Sequence, residues 1–488
     1  MPLIPAKAEA AASGARHLQL GPSEQERSDR RSDHTAYQPA RAQPTSASIG
    51  EGRPDAPRLP RIPAAPSPHS SRAIVLGASV AGLLTAAVLT AHCAEVVVVD
   101  RDPLDSDDPT PRRGVPQGKQ PHGLLVAGVQ ALEQLLPGFT DELLELGALR
   151  SDVLRDSAWI MRGAPLARFD SGLVGFLGTR PLLESHIRRR VRALAGVTLL
   201  GQHDILRLTA TPDGTRITGA AIAARDEGRP VTMEADLVVD ATGRGSRAPR
   251  WLAELGYSAP PTQEVAIDIR YVSRFFQDVP GLLEGTDAVV VAAQPPKLAG
   301  GIALRQEGGT WLVMLSGRHG LQPPTELSEF AEFADTLPTP ALAHVARTAA
   351  PISAAETYRF PASRWRHYEQ LDRRPDGFAV IGDAVCSFNP AYGQGISSAG
   401  RQALALAELL APVTDSSALA RVAASAADVL AEVVATPWAL ATGPDRRFPG
   451  MPAKPFAERI VDRYMDRLVA VAHQDSGVAY ALMSALNL

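Results

Sequence analysis

The sequence predicts an α/β fold in which a Rossmann-like dinucleotide-binding domain holds an inserted, mainly antiparallel β-sheet domain and is followed by C-terminal helices. Three observations predict it. A strand–turn–helix–strand unit of about 30 residues begins at Arg72. Apolar and polar residues alternate in segments of 255–365, which is typical of antiparallel strands. A further apolar strand and glycine-rich turn surround Asp383.

The first unit divides into four parts. Residues 73–76 form a short apolar run, as expected for a strand buried on both faces. Residues 77–82 form a turn, 83–91 a helix that packs on the sheet, and 96–99 a second buried strand that ends at Asp100. The pattern therefore predicts one βαβ unit.

The rest of the chain divides by composition. Residues 1–70 are rich in Ala, Pro, Ser, Arg and Glu and are expected to be disordered, because they cannot bury enough apolar surface to offset the entropy of ordering. The expected domains are a first FAD-binding part with some substrate-side insertion at 72–254, a substrate-binding sheet at 255–365, a return FAD-binding segment at 366–415 and C-terminal helices at 416–488.

Composition excludes several classes of protein. The 488 residues are 45% hydrophobic and 21% charged with a net charge of −4, which does not suit a nucleic-acid binder. The presence of only two cysteines, Cys93 and Cys386, argues against a disulfide framework and favours a cytoplasmic location. We expect no spanning helix, no signal peptide and no metal site. Cys386 is interpreted as a small buried residue rather than a redox thiol.

The turn Gly77-Ala78-Ser79-Val80-Ala81-Gly82 predicts a dinucleotide site. In the pattern G-x-G-x-x-G, glycines make the tight turn, admit the pyrophosphate and let helix and strand pack closely. Phosphate then lies at the helix N-terminus. Ser79 replaces the second glycine and is small enough to donate to a phosphate oxygen. Asp100 is placed to bind a ribose diol, and the neighbouring Arg101 is an expected cofactor contact.

The segment around Asp383, far along the chain from the first turn, distinguishes an FAD site from an NAD site. Asp383 follows a buried strand, where it can hold the hydroxyls of a ribityl chain. Pro390, Gly393 and Gly395 precede a long Ala/Leu helix, and the two glycines would bring backbone amides and a helix N-terminus toward a flavin ring. A positive helix end there would stabilise negative charge on reduced flavin.

Three separated motifs carry a family resemblance: Gly77-x-Ser79-x-x-Gly82 with Asp100; Asp240-Ala241-Thr242-Gly243; and Gly382-Asp383-Ala384 with Pro390 and Gly393-x-Gly395. On these the chain resembles the FAD-dependent monooxygenase superfamily of aromatic hydroxylases and squalene epoxidase-like enzymes. The segment 113–125, with Arg113-Gly114-Val115-Pro116-Gln117 and His122-Gly123-Leu124-Leu125, looks closest to bacterial polyene epoxidases of polyether-antibiotic pathways.

The resemblance implies roles for single residues. Arg113 would approach the flavin or its phosphates, and Arg180 would open the helix that flanks the pyrophosphate. Ile205 would lie against the adenine side, and Asp383 would bind ribityl or phosphate-linked oxygens. Ser79 and the Ala-Thr-Gly-Arg form of the middle motif depart from the pattern of many hydroxylases.

The resemblance also implies the chemistry. Reduced flavin would form a C4a-hydroperoxide with dioxygen, and the protein would position an apolar substrate and exclude water. No catalytic side chain is required; His122 and Arg113 are the candidates, with a structural role for His122 the alternative. Epoxidation of a polyene or terpenoid alkene is the favoured reaction. Aromatic hydroxylation, a geranylgeranyl-reductase-like flavin reductase or dehydrogenase, and a non-catalytic flavin-binding protein remain open. The electron donor is NAD(P)H or a partner flavin reductase.

The last segment repeats apolar residues at helical spacing, at Phe456, Ile460, Tyr464, Leu468 and Ala472. We interpret this stripe as core packing. Contact with a membrane surface is the alternative.

Overall fold

The computed structural model describes residues 69–226 and 228–487. The strands are β1 His69–Leu76, β2 Cys93–Val99, β3 Gly123–Leu124, β4 Leu149–Asp152, β5 Ser157–Met161, β6 Ala164–Pro165, β7 Val174–Leu177, β8 Val197–Leu200, β9 His203–Ala210, β10 Ile217–Ala224, β11 Pro230–Glu234, β12 Leu237–Asp240, β13 Thr262–Gln277, β14 Ala288–Val291, β15 Ala299–Gln306, β16 Thr310–Gly317, β17 Glu356–Arg366, β18 Phe378–Val380 and β19 Cys386–Ser387.

The α-helices are α1 Val80–Leu89, α2 Val126–Leu135, α3 Phe139–Glu145, α4 Arg180–Arg192, α5 Ala248–Glu254, α6 Leu327–Asp335, α7 Ala341–Thr348, α8 Gly395–Leu410, α9 Ser416–Asp445, α10 Phe456–Ala472 and α11 Ser476–Leu486. The first strand begins at His69, so the sequence pattern locates it to within three residues. The predicted disorder of 1–70 concerns residues that lie outside the described part of the chain, apart from His69 and Ser70.

A five-stranded parallel sheet has the order β18-β12-β1-β2-β8. Successive residues of β1 face opposite sides of it. Ala73 and Val75 join one buried apolar cluster, which includes residues of α1, α4 and α8, whereas Ile74 and Leu76 join another, which includes residues of α5. A strand covered on both faces must be apolar throughout, which explains the uninterrupted run in the sequence.

A second, eight-stranded sheet has the order β19-β17-β13-β16-β15-β14-β5-β6. The pair β14–β5 is parallel and the other pairs are antiparallel. Its central strands come from the alternating region of the sequence, and β5, β6 and β19 join them from elsewhere in the chain. Two three-stranded sheets, β11-β10-β9 and β3-β7-β4, complete the strands. The predicted fold class, a Rossmann-like sheet combined with a mainly antiparallel one and C-terminal helices, is confirmed.

Helix α10 differs from its predicted role. Phe456, Ile460 and Tyr464 of the apolar stripe are exposed, whereas Ala472 is fully buried. Leu468 and Ala472 pack in a buried apolar cluster with residues of α11, so the interpretation of the stripe as core is correct for them and wrong for Phe456, Ile460 and Tyr464. No helix among the described residues has the length and hydropathy needed to cross a membrane.

Candidate functional site

The candidate site lies where parallel strands β1, β2, β12 and β18 end. The turn after β1 is held there by its backbone, since Gly77 N–H donates to the Val99 carbonyl over 2.7 Å. Gly77 has φ +106°, and a Cβ on it would lie 2.6 Å from the Ala241 carbonyl oxygen. A Cβ on Gly82 would lie 1.9 Å from the Gly77 carbonyl oxygen. Both positions therefore require glycine, and α1 can begin directly at the sheet edge.

The N-terminus of α1 is open to a ligand. Its N-cap, Ser79, makes no side-chain cap hydrogen bond, so the side chain leaves the first N–H groups of the helix free. The Ser79 hydroxyl instead donates to Glu184 Oε2 over 2.9 Å and accepts from Arg180 Nη2 over 2.8 Å. This differs from the prediction that the hydroxyl donates to phosphate, because its single proton is directed to Glu184. Ser79 thus positions Arg180 beside the turn.

Arg112 enters the same site. Its Nη2 donates to the Ala78 carbonyl over 2.9 Å, and its Nε donates to Glu184 Oε1 over 2.7 Å. Only 8% of its side chain is exposed. In the described part of the chain, Nη1 is buried without a hydrogen-bond partner, 3.4 Å from Asp100 Oδ1. A buried donor of this kind is unfavourable unless a ligand satisfies it.

The cofactor contacts predicted for Arg113 and Arg101 stay predictions. Arg113, adjacent to Arg112, is exposed, and so is Arg101. The sequence shows a pair of arginines in a loop but not which one turns inward. The structure brings Arg112 rather than Arg113 to the turn, because the carboxylate of Glu184 and the carbonyl of Ala78 both accept from Arg112.

Glu184, in α4, joins the two inward arginines and was not predicted. It is buried at 3% exposure, and burial alone would raise its pKa, but Arg180 and Arg112 lower the pKa below its usual value. Glu184 is therefore an ionised carboxylate. Its spacing of four residues from Arg180 places both on one face of α4, a pattern that could have identified it.

Asp100 holds the turn from the end of β2. Its Oδ2 accepts from Ala78 N–H over 2.7 Å and its Oδ1 from Asp102 N–H over 2.9 Å. Each carboxylate oxygen retains a second lone pair that can accept from a hydroxyl. Asp102, which is buried, accepts from Gly114 N–H over 2.7 Å and so fixes the loop that contains Arg112.

The middle motif, Asp240-Ala241-Thr242-Gly243, is held in a turn by its own hydrogen bonds. Asp240 is fully buried at the end of β12, and burial raises its pKa. It accepts from the Thr242 hydroxyl over 2.6 Å and from the Ser246 hydroxyl over 2.5 Å. These bonds fold the chain so that Arg244 reaches the second glycine-rich segment.

Asp383 faces the site from that segment. Gly382 N–H donates to Gln402 Oε1 over 2.8 Å, and a Cβ on Gly382 would lie 2.6 Å from that of Ala81, so the segment lies tightly against α1. Burial raises the pKa of Asp383, while Arg244 and Arg180 act in the opposite direction. No hydrogen bond contributes to that pKa. The carboxyl group is half-buried, with its acceptor capacity unused by the described protein groups.

The loop before α8 ends in an open helix N-terminus. Gly393 has φ +67°, and α8 begins at Gly395 without a side-chain cap from Gln394. Nothing lies within 4 Å of a Cβ built on Gly395, so the space in front of this helix end is free. Pro390 is exposed at the start of the loop. Free N–H groups and a positive dipole end are suited to an electron-rich ring or anion.

A buried polar network, absent from the predicted site, holds this loop. Asn389 Nδ2 donates to both carboxylate oxygens of Asp445 over 3.0 and 3.1 Å, and Asn389 Oδ1 accepts from the Tyr271 hydroxyl over 3.0 Å. Asp445 also accepts from Arg318 Nη1 over 2.6 Å and from the Tyr392 hydroxyl over 3.0 Å. Asn389 and Asp445 are both fully buried. The network joins α9, the eight-stranded sheet and the loop.

His122 is neutral in this structure. Its Nδ1 lies 2.8 Å from the Gln120 carbonyl, and we assign the ring proton to Nδ1 because a carbonyl can only accept. Burial and the nearby Arg180 lower the pKa of His122 to about 4. With the ring proton on Nδ1, Nε2 is an acceptor, which favours the structural alternative for His122, and the catalytic role stays a prediction. The contact to Gln120, which accepts from Ser273 over 2.7 Å, gives it a structural role.

Ile205 and Cys386 complete the predicted residues, and the adenine contact of Ile205 stays a prediction. Ile205 is half-buried in β9, and its carbonyl accepts from Arg247. Burial raises the pKa of the Cys386 thiol well above its usual value, so it is unreactive as a thiolate. The described residues contain no cluster of His, Cys, Asp or Glu that could hold a metal ion.

Comparisons with known proteins agree with this architecture. No protein-family model matches the chain. The chain is 34% identical over 345 residues to protein Rv3254 of Mycobacterium tuberculosis (strain ATCC 25618 / H37Rv), which covers 68% of this chain and 71% of that protein.

Two solved structures have a similar fold. PqsL, a probable FAD-dependent monooxygenase from Pseudomonas aeruginosa, is 18% identical with a TM-score of 0.57 and matches 77% of this chain and 97% of its own. The p-nitrophenol 4-monooxygenase PnpA from Pseudomonas putida DLL-E4 is 19% identical with a TM-score of 0.57 and matches 85% and 98%. The predicted resemblance to the FAD-dependent monooxygenases is thus confirmed at the level of the fold, and the closeness to polyene epoxidases stays a prediction.

Proposed function

Because this chain belongs to the family of Mycobacterium tuberculosis protein Rv3254 and has the fold of FAD-dependent monooxygenases, we propose that it is an FAD-dependent monooxygenase. It inserts one oxygen atom of dioxygen into an apolar organic substrate, and the reaction that we favour is epoxidation of a polyene or terpenoid alkene. One observation carries the proposal. Three segments far apart in sequence, around Ser79, Arg112 and Asp383, meet at one sheet edge with donors and acceptors that the described protein groups leave unused.

The chemistry of these groups fits the parts of FAD. The free N–H groups of α1 and the buried Nη1 of Arg112 are donors for the diphosphate, with Arg180 held beside them by Ser79. Asp100 has lone pairs for ribose hydroxyls, and the half-buried Asp383 has lone pairs for ribityl hydroxyls. Each residue thus offers hydrogen-bonding capacity complementary to one part of the cofactor.

Bound FAD would supply the activation of dioxygen, and the protein would supply position and a dry surrounding. The open N-terminus of α8 would stabilise negative charge on the flavin. The Asn389–Asp445 network would fix the preceding loop, since Asn389 also accepts from Ala391 N–H over 3.0 Å. No side chain is required to act as a nucleophile.

The eight-stranded sheet would cover the site and bind the apolar substrate. Arg244, whose charge acts on Asp383, lies 4.2 Å from the ring centroid of Phe360 and donates to the Tyr358 hydroxyl over 3.1 Å. Tyr358 stacks on Tyr271 at 6.2 Å. Aromatic residues of β13 and β17 therefore adjoin the segment that contains Asp383. Phe360 and Tyr271 are buried, so these rings pack the sheet against that segment and keep water out of it.

Labelled oxygen tests the proposal. The FAD-loaded protein is supplied with NADH, NADPH or a separate flavin reductase under ¹⁸O₂, with polyene, terpenoid and aromatic substrates. The proposal predicts one ¹⁸O atom per product molecule, as an epoxide from the alkenes; a phenol from the arenes alone would indicate aromatic hydroxylation. Reduced or desaturated products without label would indicate the reductase or dehydrogenase alternative, and flavin that is never turned over would indicate a binding protein.

A further inference from the structure

The outward face of α10 combines apolar side chains with positive charge. Phe456, Ile460 and Tyr464, spaced by four residues, are 67%, 50% and 62% exposed. Residues at this spacing lie on one face of a helix. Arg463 and Arg467 are exposed on the same side, along one edge of the apolar stripe. The 17-residue helix is about 25 Å long, so the stripe is an extended surface rather than a single exposed side chain.

The inward face of α10 carries the acids. Glu458, Asp462 and Asp466 also recur every four residues, and each is paired with a basic side chain of the protein. The nitrogen–oxygen distances are 3.0 Å for Arg446–Glu458, 2.8 Å for Lys454–Asp462 and 2.8 Å for Arg447–Asp466. The acids are therefore neutralised locally, and Val469 and Ala472 of the same helix pack in a buried apolar cluster, which fixes which face is exposed.

The arginines of the outward face are not neutralised in this way. Arg459 lies over the Phe456 ring at 5.7 Å, and in the described part of the chain Arg463 and Arg467 form no ion pair. The helix thus presents apolar side chains and uncompensated positive charge together. An apolar face bordered by arginines is the pattern of helices that lie in the interface of an anionic membrane.

We propose that α10 is a docking surface for an anionic lipid bilayer. Its apolar side chains would enter the boundary between headgroups and acyl chains, while Arg463 and Arg467 would contact lipid phosphates. Charge complementarity selects this partner, because every acid of the helix faces the protein and the outward charge is positive. The proposal concerns the outward face of α10 and is independent of the proposed function.

A second copy of the chain is the competing occupant. An antiparallel contact across a two-fold axis would bring the two arginine edges together, and like charges in an interface are unfavourable. An anionic surface has the opposite effect, since each arginine near it strengthens binding. The charge pattern therefore favours lipid over self-association.

Vesicle flotation tests the proposal with the full-length protein. Binding is compared for vesicles of phosphatidylcholine alone and of 70% phosphatidylcholine with 30% phosphatidylglycerol, at low and at 0.5 M salt. We expect binding to the anionic vesicles only, weakened by salt. Arg463→Gln with Arg467→Gln should lower the partition coefficient about 30-fold, the effect expected for two arginines near an anionic surface. Ile460→Asp with Tyr464→Asp should abolish binding.

Matched controls change equally exposed residues elsewhere. Arg150→Gln with Arg421→Gln removes the same charge, and Val231→Asp with Ile352→Asp replaces apolar residues that are 58% and 50% exposed. The controls should bind like the unmodified protein, with thermal unfolding showing that all variants fold. Absence of binding by the unmodified protein, or equal loss in variants and controls, overturns the proposal. A dimer that dissociates on Ile460→Asp with Tyr464→Asp, without lipid binding, assigns the face to self-association.

Discussion

Replacing Arg112 with alanine should weaken FAD binding far more than replacing its neighbour Arg113. Arg112 is 8% exposed, donates to Ala78 and Glu184, and has a buried Nη1 without a hydrogen-bond partner in the described structure. A hydrogen bond to a charged group contributes about 1.5–3 kcal/mol. Loss of one such bond to the diphosphate predicts a rise in the FAD dissociation constant of roughly 10- to 150-fold, at 1.4 kcal/mol for each factor of ten.

The assay is quenching of flavin fluorescence when FAD is titrated into the apo protein. Arg113→Ala removes the same charge from an exposed position one residue away and should change the dissociation constant by less than about twofold. Far-ultraviolet circular dichroism establishes that both variants fold. A weaker affinity in Arg113→Ala than in Arg112→Ala would refute the assignment of Arg112 to the site.

Three further changes test other parts of the site. Asp383→Ala should lower the FAD content of the purified protein at least tenfold, while Asp105→Ala, in an exposed loop, should leave it unchanged; equal FAD content would contradict the role of Asp383. Asp445→Asn should lower the free energy of unfolding in urea by about 3–5 kcal/mol, because it leaves the buried Arg318 without a carboxylate; a loss under 1 kcal/mol would show that the ion pair contributes little. His122, with a folded pKa of about 4 against 6.5, stays neutral while the unfolded chain takes up a proton. The stability that neutral His122 contributes is therefore fully present above pH 6.5, and the free energy of unfolding falls by about 1.4 kcal/mol per pH unit as pH falls toward 4. His122→Asn should remove this contribution to the dependence of the unfolding free energy on pH, measured by unfolding in urea at a series of pH values. An unchanged dependence on pH would refute the low pKa.

The sequence predicts those parts of the fold that depend on neighbouring residues. The apolar runs of β1 and β2, the glycines between β1 and α1, and Asp100 all lie within one βαβ unit. Their roles follow from local rules, since a strand buried on both faces is apolar and a close helix–strand turn excludes side chains. The return segment at Asp383 was recognisable for the same reason.

Contacts between segments that are distant in the sequence could not be predicted from such local rules. Asn389 and Asp445 are 56 residues apart, and nothing near Asp445 in α9 marks it as the partner of a loop residue. The choice between Arg112 and Arg113 depends on Glu184, which belongs to another helix. Strands β5 and β6 join the eight-stranded sheet from more than 100 residues before its central strands. Only the folded chain brings these groups together.

The orientation of helix α10 could not be predicted from the periodicity of its sequence. A stripe of apolar residues at helical spacing identifies an amphipathic helix but not the face that packs on the protein. Here Val469 and Ala472 pack in a buried apolar cluster, and Asp462 and Asp466 pair with Lys454 and Arg447. The apolar face is consequently exposed, which the periodicity alone could not predict.

A crystal structure of the chain grown with FAD tests the central claim most directly. The account predicts one FAD with its diphosphate at the N-terminus of α1 within hydrogen-bond distance of Arg112, its ribityl hydroxyls at Asp383, and its ring beside the N-terminus of α8. FAD bound away from this sheet edge, or a refined site in which neither Arg112 nor Asp383 contacts the cofactor, would contradict it.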